Sequence, residues 1–302
     1  MNVPAPASES SPPSVTVLRE PEWRDRMRRH QAKLAPVVNA HLDRAARGVR
    51  HPIIDFLFQY YPFAAAHLMR WTPGVGVALE GEVPPELVQM KDGNQIDAGW
   101  MVSPERFPRR RHEALAWVIS LLENTTERAP RFGCFGLHEW AMVYRSSEVR
   151  HGQLPLRFSR EETARIVESL PVNCSHYDAF RFFTPEARPL NRLQPALETR
   201  RDMEQRGCLH VNMDLYKWAT QFYPWVSSDL IADVFLLALS IREMDMRASP
   251  YDVTSLGHTP ICIETDEGRR EYVRQQQAFA EAAIPLRARL VSELRLLSSR
   301  VG

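Results

Sequence analysis

Residues 227–246 read SSDLIADVFLLALSIREMDM, with apolar side chains recurring every three or four positions. That spacing lays them along one broad face of a helix, and a face that wide has to be covered by other elements. Ser228 is placed to serve as the N-cap. The periodicity returns at residues 109–130, RRRHEALAWVISLLENTTERAP, and over residues 266–299, which predict one long helix. Residues 22–48 predict a charged helix that stops at Gly48 and is kinked or split at Pro36. The aromatic-rich stretch 51–71 predicts a buried helix or helix pair broken at Pro62. Ser159 with Glu162 three residues later forms a capping box. Only residues 75–79 and PICIE at 260–264 look β-like, and residues 81–108 read as an irregular connection.

The expected fold class is mainly α: a single predominantly helical domain over residues 21–302 with one or two short β pieces. A tail at residues 1–20 precedes it. The start MNVPAPASESSPPSVTV is rich in Pro and Ser and has too little apolar bulk to offset the entropy of ordering. It lacks the basic start and apolar centre of a signal peptide, and the chain has no run of about 18 apolar residues. Four scattered cysteines then suggest reduced thiols. The expectation is a cytoplasmic protein with no membrane partner. A net charge of +1 in 302 residues gives no global case for nucleic acid and leaves DNA binding to a local basic groove.

Three segments share a composition. GCFGLHEWAMVYR carries Cys134, His138 and Glu139; NCSHYDAFRFF carries Cys174, His176 and Asp178; GCLHVNMDLYKW carries Cys208, His210 and Asp214. On a helix His210, Asp214 and Lys217 share a face. The recurrence predicts that His138, His176 and His210 converge on one pocket. Imidazole, carboxylate and thiolate are all zinc ligands, and a helical bundle can hold iron with histidines and acids from several helices. No HExxH motif, CxxC pair or pair of ExxH motifs accompanies them. Trp140, Tyr177 and Tyr216 beside the acids suit a different chemistry, since aromatic faces attract a cationic ring. A carboxylate next to such rings orients water for N-glycosidic cleavage. Arg242 and Asp245 sit three apart near the end of the predicted helix, followed by Arg247. The helix dipole accounts for Arg247 there and not for Asp245.

The motifs GCFGLHEWAMVYR, CSHYDAFRFFTPEARP, GCLHVNMDLYKW and DMRASPYD, with HPIIDFLFQYYPF, resemble a bacterial family common in actinobacteria and labelled 3-methyladenine DNA glycosylase. The resemblance spans roughly residues 50–290. It implies DNA repair: an N-glycosylase, a hydrolase that excises alkylated purine from a DNA partner without a required cofactor. The sequence has neither a helix-hairpin-helix pattern nor clustered C-terminal cysteines and histidines, so the site is assigned residue by residue. On that reading Glu139, Asp178 or Asp214 is the catalytic acid, and Trp140, Tyr177, Tyr216, Lys217, Arg181, Asp245 and Arg247 bind substrate. Cations for DNA would come from residues 106–113 and 148–158. Two alternatives stand beside it. One is an Fe- or Zn-dependent helical-bundle enzyme acting on a small molecule, with His138, His176 and His210 as metal ligands alongside Asp214. The other is a non-catalytic protein that holds a small ligand in an aromatic pocket.

Overall fold

The computed structural model describes residues 15–147 and 153–301. In chain order its helices are α1 (Glu20–Ala46), α2 (Ile54–Tyr60), α3 (Ala65–Met69), α4 (Pro85–Val88), α5 (His112–Glu127), α6 (Leu137–Ala141), α7 (Arg160–Ser169), α8 (Tyr177–Phe180), α9 (Arg200–Met203), α10 (Leu209–Gln221), α11 (Ser228–Arg247) and α12 (Asp266–Val301). The strands are β1 (Thr16–Leu18), β2 (Val77–Leu79), β3 (Gly93–Ile96) and β4 (Gly99–Val102). The fold is mainly α, as the periodicity predicts, and it also carries a small four-stranded sheet. Among the described residues no helix is long and apolar enough to cross a membrane.

Helix α11 is the hub. Leu230, Ile231, Val234, Phe235, Ala238 and Ile241 are all buried, and the helix packs on α10, α12, α1, α2 and α3. A helix buried on most sides needs apolar residues around most of its circumference, which SSDLIADVFLLALSI supplies. Its N-cap is Ser227 rather than Ser228; the Ser227 hydroxyl and amide both bond the Glu293 carboxylate on α12. Helix α1 runs through Pro36 without ending. Leu34 and Val38, on either side of the proline, are fully buried, and their packing offsets the roughly 3 kcal/mol that an interior proline costs. Ser159 and Glu162 form the capping box at the start of α7, and Pro62 separates α2 from α3. The main apolar cluster draws on residues from Leu18 in β1 to Leu297 in α12, and a smaller one gathers Ile53, Val143, Leu154, Met246, Tyr251 and Val253.

The sheet departs from expectation. Its order is β1-β2-β4-β3, with β1 parallel to β2 and the other neighbours antiparallel. Residues 81–108 therefore contain a hairpin and the short helix α4 rather than an irregular connection. Gly99 closes that hairpin at φ 123°, and a Cβ there would collide with the Leu79 carbonyl across the sheet. Residues 16–18 of the expected tail form the edge strand, and α1 begins at Glu20; residues 1–14 lie outside the described residues. PICIE forms no strand. Its amides instead bond Arg247 O and Ile261 O in the turn that leads into α12.

Candidate functional site

The three histidines meet. His138 lies on α6, His176 caps α8 and His210 is the second residue of α10. The His138 and His210 rings stand edge to face with centroids 4.3 Å apart, and the His176 and His210 rings stack at 5.3 Å. Carboxylates flank the stack on both sides. On one side, His138 Nε2 is 3.1 and 3.2 Å from the two oxygens of Asp245, on α11. Arg242, one turn earlier on α11, donates to Glu139 Oε1 at 2.6 Å and to Asp245 Oδ2 at 3.4 Å. On the other side, Asp214 accepts from His176 Nε2 at 3.3 Å, Arg200 Nη2 at 3.2 Å and the Tyr61 hydroxyl at 3.1 Å. Arg200 also reaches Glu204 at 2.8 Å and Asp178 at 3.2 Å, and Lys217 donates to Asp178 at 2.8 Å.

Charge and burial set the protonation states. Burial, reinforced by the neighbouring His138, pushes His210 down to about 3, so its imidazole is neutral. Burial alone would also push His138 down, but the Asp245 carboxylate overrides it and holds His138 above its ordinary value. Burial would raise Asp245 and Asp214; imidazoles and guanidinium groups beside them hold both well below the usual carboxylate range.

Two donor sets have the compactness of an ion site. His138, His210 and Asp245 form one, and His176, Asp178 and Asp214 the other; within each, one donor atom per residue lies within 4.8 Å of the others. Two adjacent ligands held about 2.1 Å from one ion lie about 3 Å apart. The His138–Asp245 separation matches that spacing. The second set already has its charge met by Arg200 and Lys217. In the first, Asp245 Oδ1 pairs with the His138 imidazole at 3.1 Å, and His210 offers a neutral imidazole. Two imidazoles and one carboxylate suit ferrous iron or an open zinc site.

A cavity of about 280 Å³ opens against this first set. His138 and His210 form part of its wall, with Cys134, Cys174, Cys208 and Tyr272. Its walls come from three loops, at residues 131–134, 172–175 and 205–208, from the starts of α6 and α10, and from Tyr272 of α12. Burial pushes the thiols up, Cys174 to about 12, and neighbouring sulfurs add to the rise at Cys174 and Cys208.

The expected aromatic pocket lies elsewhere. Trp140, Tyr177 and Tyr216 do not line the cavity, whose rings are Phe132 and Tyr272. Trp140 stands two residues from His138, about 200° around the helix. It donates to the Ala248 carbonyl at 2.9 Å. Tyr216 is about 120° from the His210 direction on the same geometry. Its ring packs among Tyr61, Phe63 and Phe235. Tyr177 is half-buried at the start of α8. Glu139, Asp178, Asp214, His176, Lys217 and Asp245 sit behind the wall in the ion pairs described above. Arg181 is exposed and pairs with Asp178 at 3.4 Å, while Arg247 donates to the Thr259 carbonyl at 2.9 Å. Of the cations sought for DNA, Arg111 is bonded to the Gln221 carbonyl and covers Phe107, and residues 148–152 lie outside the described residues. The arginine at the cavity is Arg131. Sequence reasoning missed Arg200, Glu204 and Tyr61. Arg200 and Glu204 carried one usable signal, opposite charges four apart.

Comparison with known protein families, with curated proteins and with solved structures finds no match for this chain.

Proposed function

We propose that this protein is a metal-dependent enzyme acting on a small molecule, with the ion held by His138, His210 and Asp245 at the edge of the cavity. One observation carries the reading: two imidazoles and a carboxylate from three separate helices bring their donor atoms within 4.8 Å of one another, and both imidazoles line the cavity. An ion there supplies polarisation of a substrate oxygen or activation of a bound water. Arg242 fixes the Asp245 carboxylate from one side, and the His176–Asp214–Arg200 network backs the other face of His210. Such supporting groups hold ligands in orientation and tune their affinity.

Metal analysis of the purified protein tests this. After incubation with ferrous iron or zinc and removal of excess, wild type should retain about one ion per chain at this set, as one three-ligand site predicts. Asp245→Asn and His210→Ala should each weaken retention at least tenfold while circular dichroism stays that of a helical fold. Retention at wild-type levels in both variants would end the proposal.

The glycosylase activity implied by the resemblance needs an acid beside the excised base. Glu139, Asp178 and Asp214 are each held by Arg242, Arg200 or Lys217 behind the cavity wall. That reading therefore ranks second. Release of 3-methyladenine from alkylated duplex DNA by metal-stripped protein would reverse the order.

A further inference from the structure

The histidine–aspartate set uses no sulfur, yet three of the four cysteines face the same cavity. We propose that Cys134, Cys174 and Cys208 together hold an iron–sulfur cluster in this cavity. The proposal goes beyond the His138–His210–Asp245 ion and stands without it.

The thiols arrive from three separate loops, before α6, before α8 and at the N-cap of α10. All three are free. All three residues line the one cavity. They are not gathered as tightly as ligands of one ion. Among the described residues the donor groups within 4.8 Å of one another are the two histidine–aspartate sets, and neither contains a thiol. Tetrahedral thiolates on a single zinc would be about 4 Å apart, given Zn–S bonds of about 2.3 Å. Cysteines placed around one cavity instead suit a group with several metal atoms, each taking its own thiolate. The cavity, at about 280 Å³, is just under the range that encloses a drug-sized ligand, so it is matched to a compact group.

The backbone at Cys134 supplies an independent observation. Gly133, Phe135 and Gly136 have φ of 145°, 47° and 69°, so positive φ brackets the cysteine on both sides. A positive φ at phenylalanine is strained and persists only where the surroundings enforce it. Successive amides in such conformations form the concavities that recur at Fe–S sites. The sulfur of Cys134 also meets two donors from α12, the Gln276 amide at 3.5 Å and the Tyr272 hydroxyl at 3.7 Å. Hydrogen bonds to ligand sulfurs are among the features that set cluster potentials. Three thiolates leave one coordination position of a four-iron cluster open to a non-sulfur donor. Cys262 stands apart, its sulfur accepting from Arg157 at 3.3 Å.

The test is anaerobic reconstitution of the full chain with ferrous iron, sulfide and a thiol reductant, followed by desalting. The expected product contains iron and acid-labile sulfide in near-equal amounts and shows broad visible sulfide-to-iron absorption. Cys134→Ser, Cys174→Ser and Cys208→Ser should each reduce bound sulfide several-fold, whereas Cys262→Ser and Asp245→Asn should retain it. Asp245→Asn separates this site from the histidine–aspartate ion, which that variant loses. In case a serine variant fails to fold, alkylation of wild type under mild denaturant gives a second reading: reconstitution should shield Cys134, Cys174 and Cys208 and leave Cys262 unshielded. Wild type that retains no sulfide, or a thiol site that loads with zinc and excludes sulfide, overturns the proposal.

Discussion

Asp214 is almost fully buried and is held by Arg200, His176, Lys217 and Tyr61. Removing one charge from a buried pair leaves the other uncompensated, at a cost of about 3–5 kcal/mol. Asp214→Asn should therefore lower unfolding free energy by about that amount in urea titrations. A loss below about 1 kcal/mol would mean that the network contributes little. Asp55 provides a pH-resolved case. It accepts from Arg44 Nε and Nη2, from His41 and from the His51 amide, and these partners overcome burial to hold it at about 2 instead of 3.8. Its folded value lies below its unfolded one, so it stabilises the fold above pH 4 and that contribution fades as pH falls from 4 through 2. The full contribution is about 2 kcal/mol. The stability difference between wild type and Asp55→Asn should be full at pH 6 and clearly smaller at pH 3; a constant difference would contradict the assignment. At this scale the sequence was partly readable. The recurrence of Cys, His and acid anticipated that three imidazoles lie together, although His138 and His210 line the cavity and His176 stands behind its wall. The partner of each acid was not readable, since Asp245 faces His138 across 107 residues and Arg200 lies in a stretch with no motif.

Among the elements, the long helices were readable because their apolar faces persist over several turns, as in α5, α11 and α12. The sheet was not, since its strands have three or four residues and GNQI has no alternating apolar pattern. Strand β1 owes its existence to a partner about sixty residues away rather than to its own composition. A chain starting at residue 19 loses that pairing and the buried Leu18, and should melt several degrees below one starting at residue 15, reflecting about 2 kcal/mol of lost burial. Equal melting temperatures would show that the edge strand is dispensable. The loops of the cavity are tied just as locally. Gly207 donates to Gln205 Oε1 at 2.7 Å and accepts from Gln276 at 2.7 Å, and a Cβ there would come within 2.7 Å of the Arg131 carbonyl. Gly207→Ala should push the 131–134 and 205–208 loops apart, costing about 1–3 kcal/mol by denaturant titration and lowering metal retention. A variant with unchanged stability and metal content would place the cavity elsewhere.

Across the whole molecule, α12 joins parts that sequence order keeps far apart. It packs on α5, α10 and α11, and it carries Tyr272 to the cavity, Gln276 to the Gly207 carbonyl and Glu293 to the start of α11. A chain ended after residue 265 should lack a cooperative thermal transition by circular dichroism, because the buried faces of α5, α10 and α11 lose their cover. A sharp transition in that chain would show that the remainder folds alone. The placement of Tyr272 and Gln276 also bears on biosynthesis. Translation proceeds at about 5–20 residues per second and domains fold as they emerge. On a ribosome the three cysteine loops and all three histidines are made before the helix that closes the cavity around them. During that interval the thiols and imidazoles lack the cover of α12, so on the metal readings proposed above a carrier too large to enter the finished cavity would still have access to them.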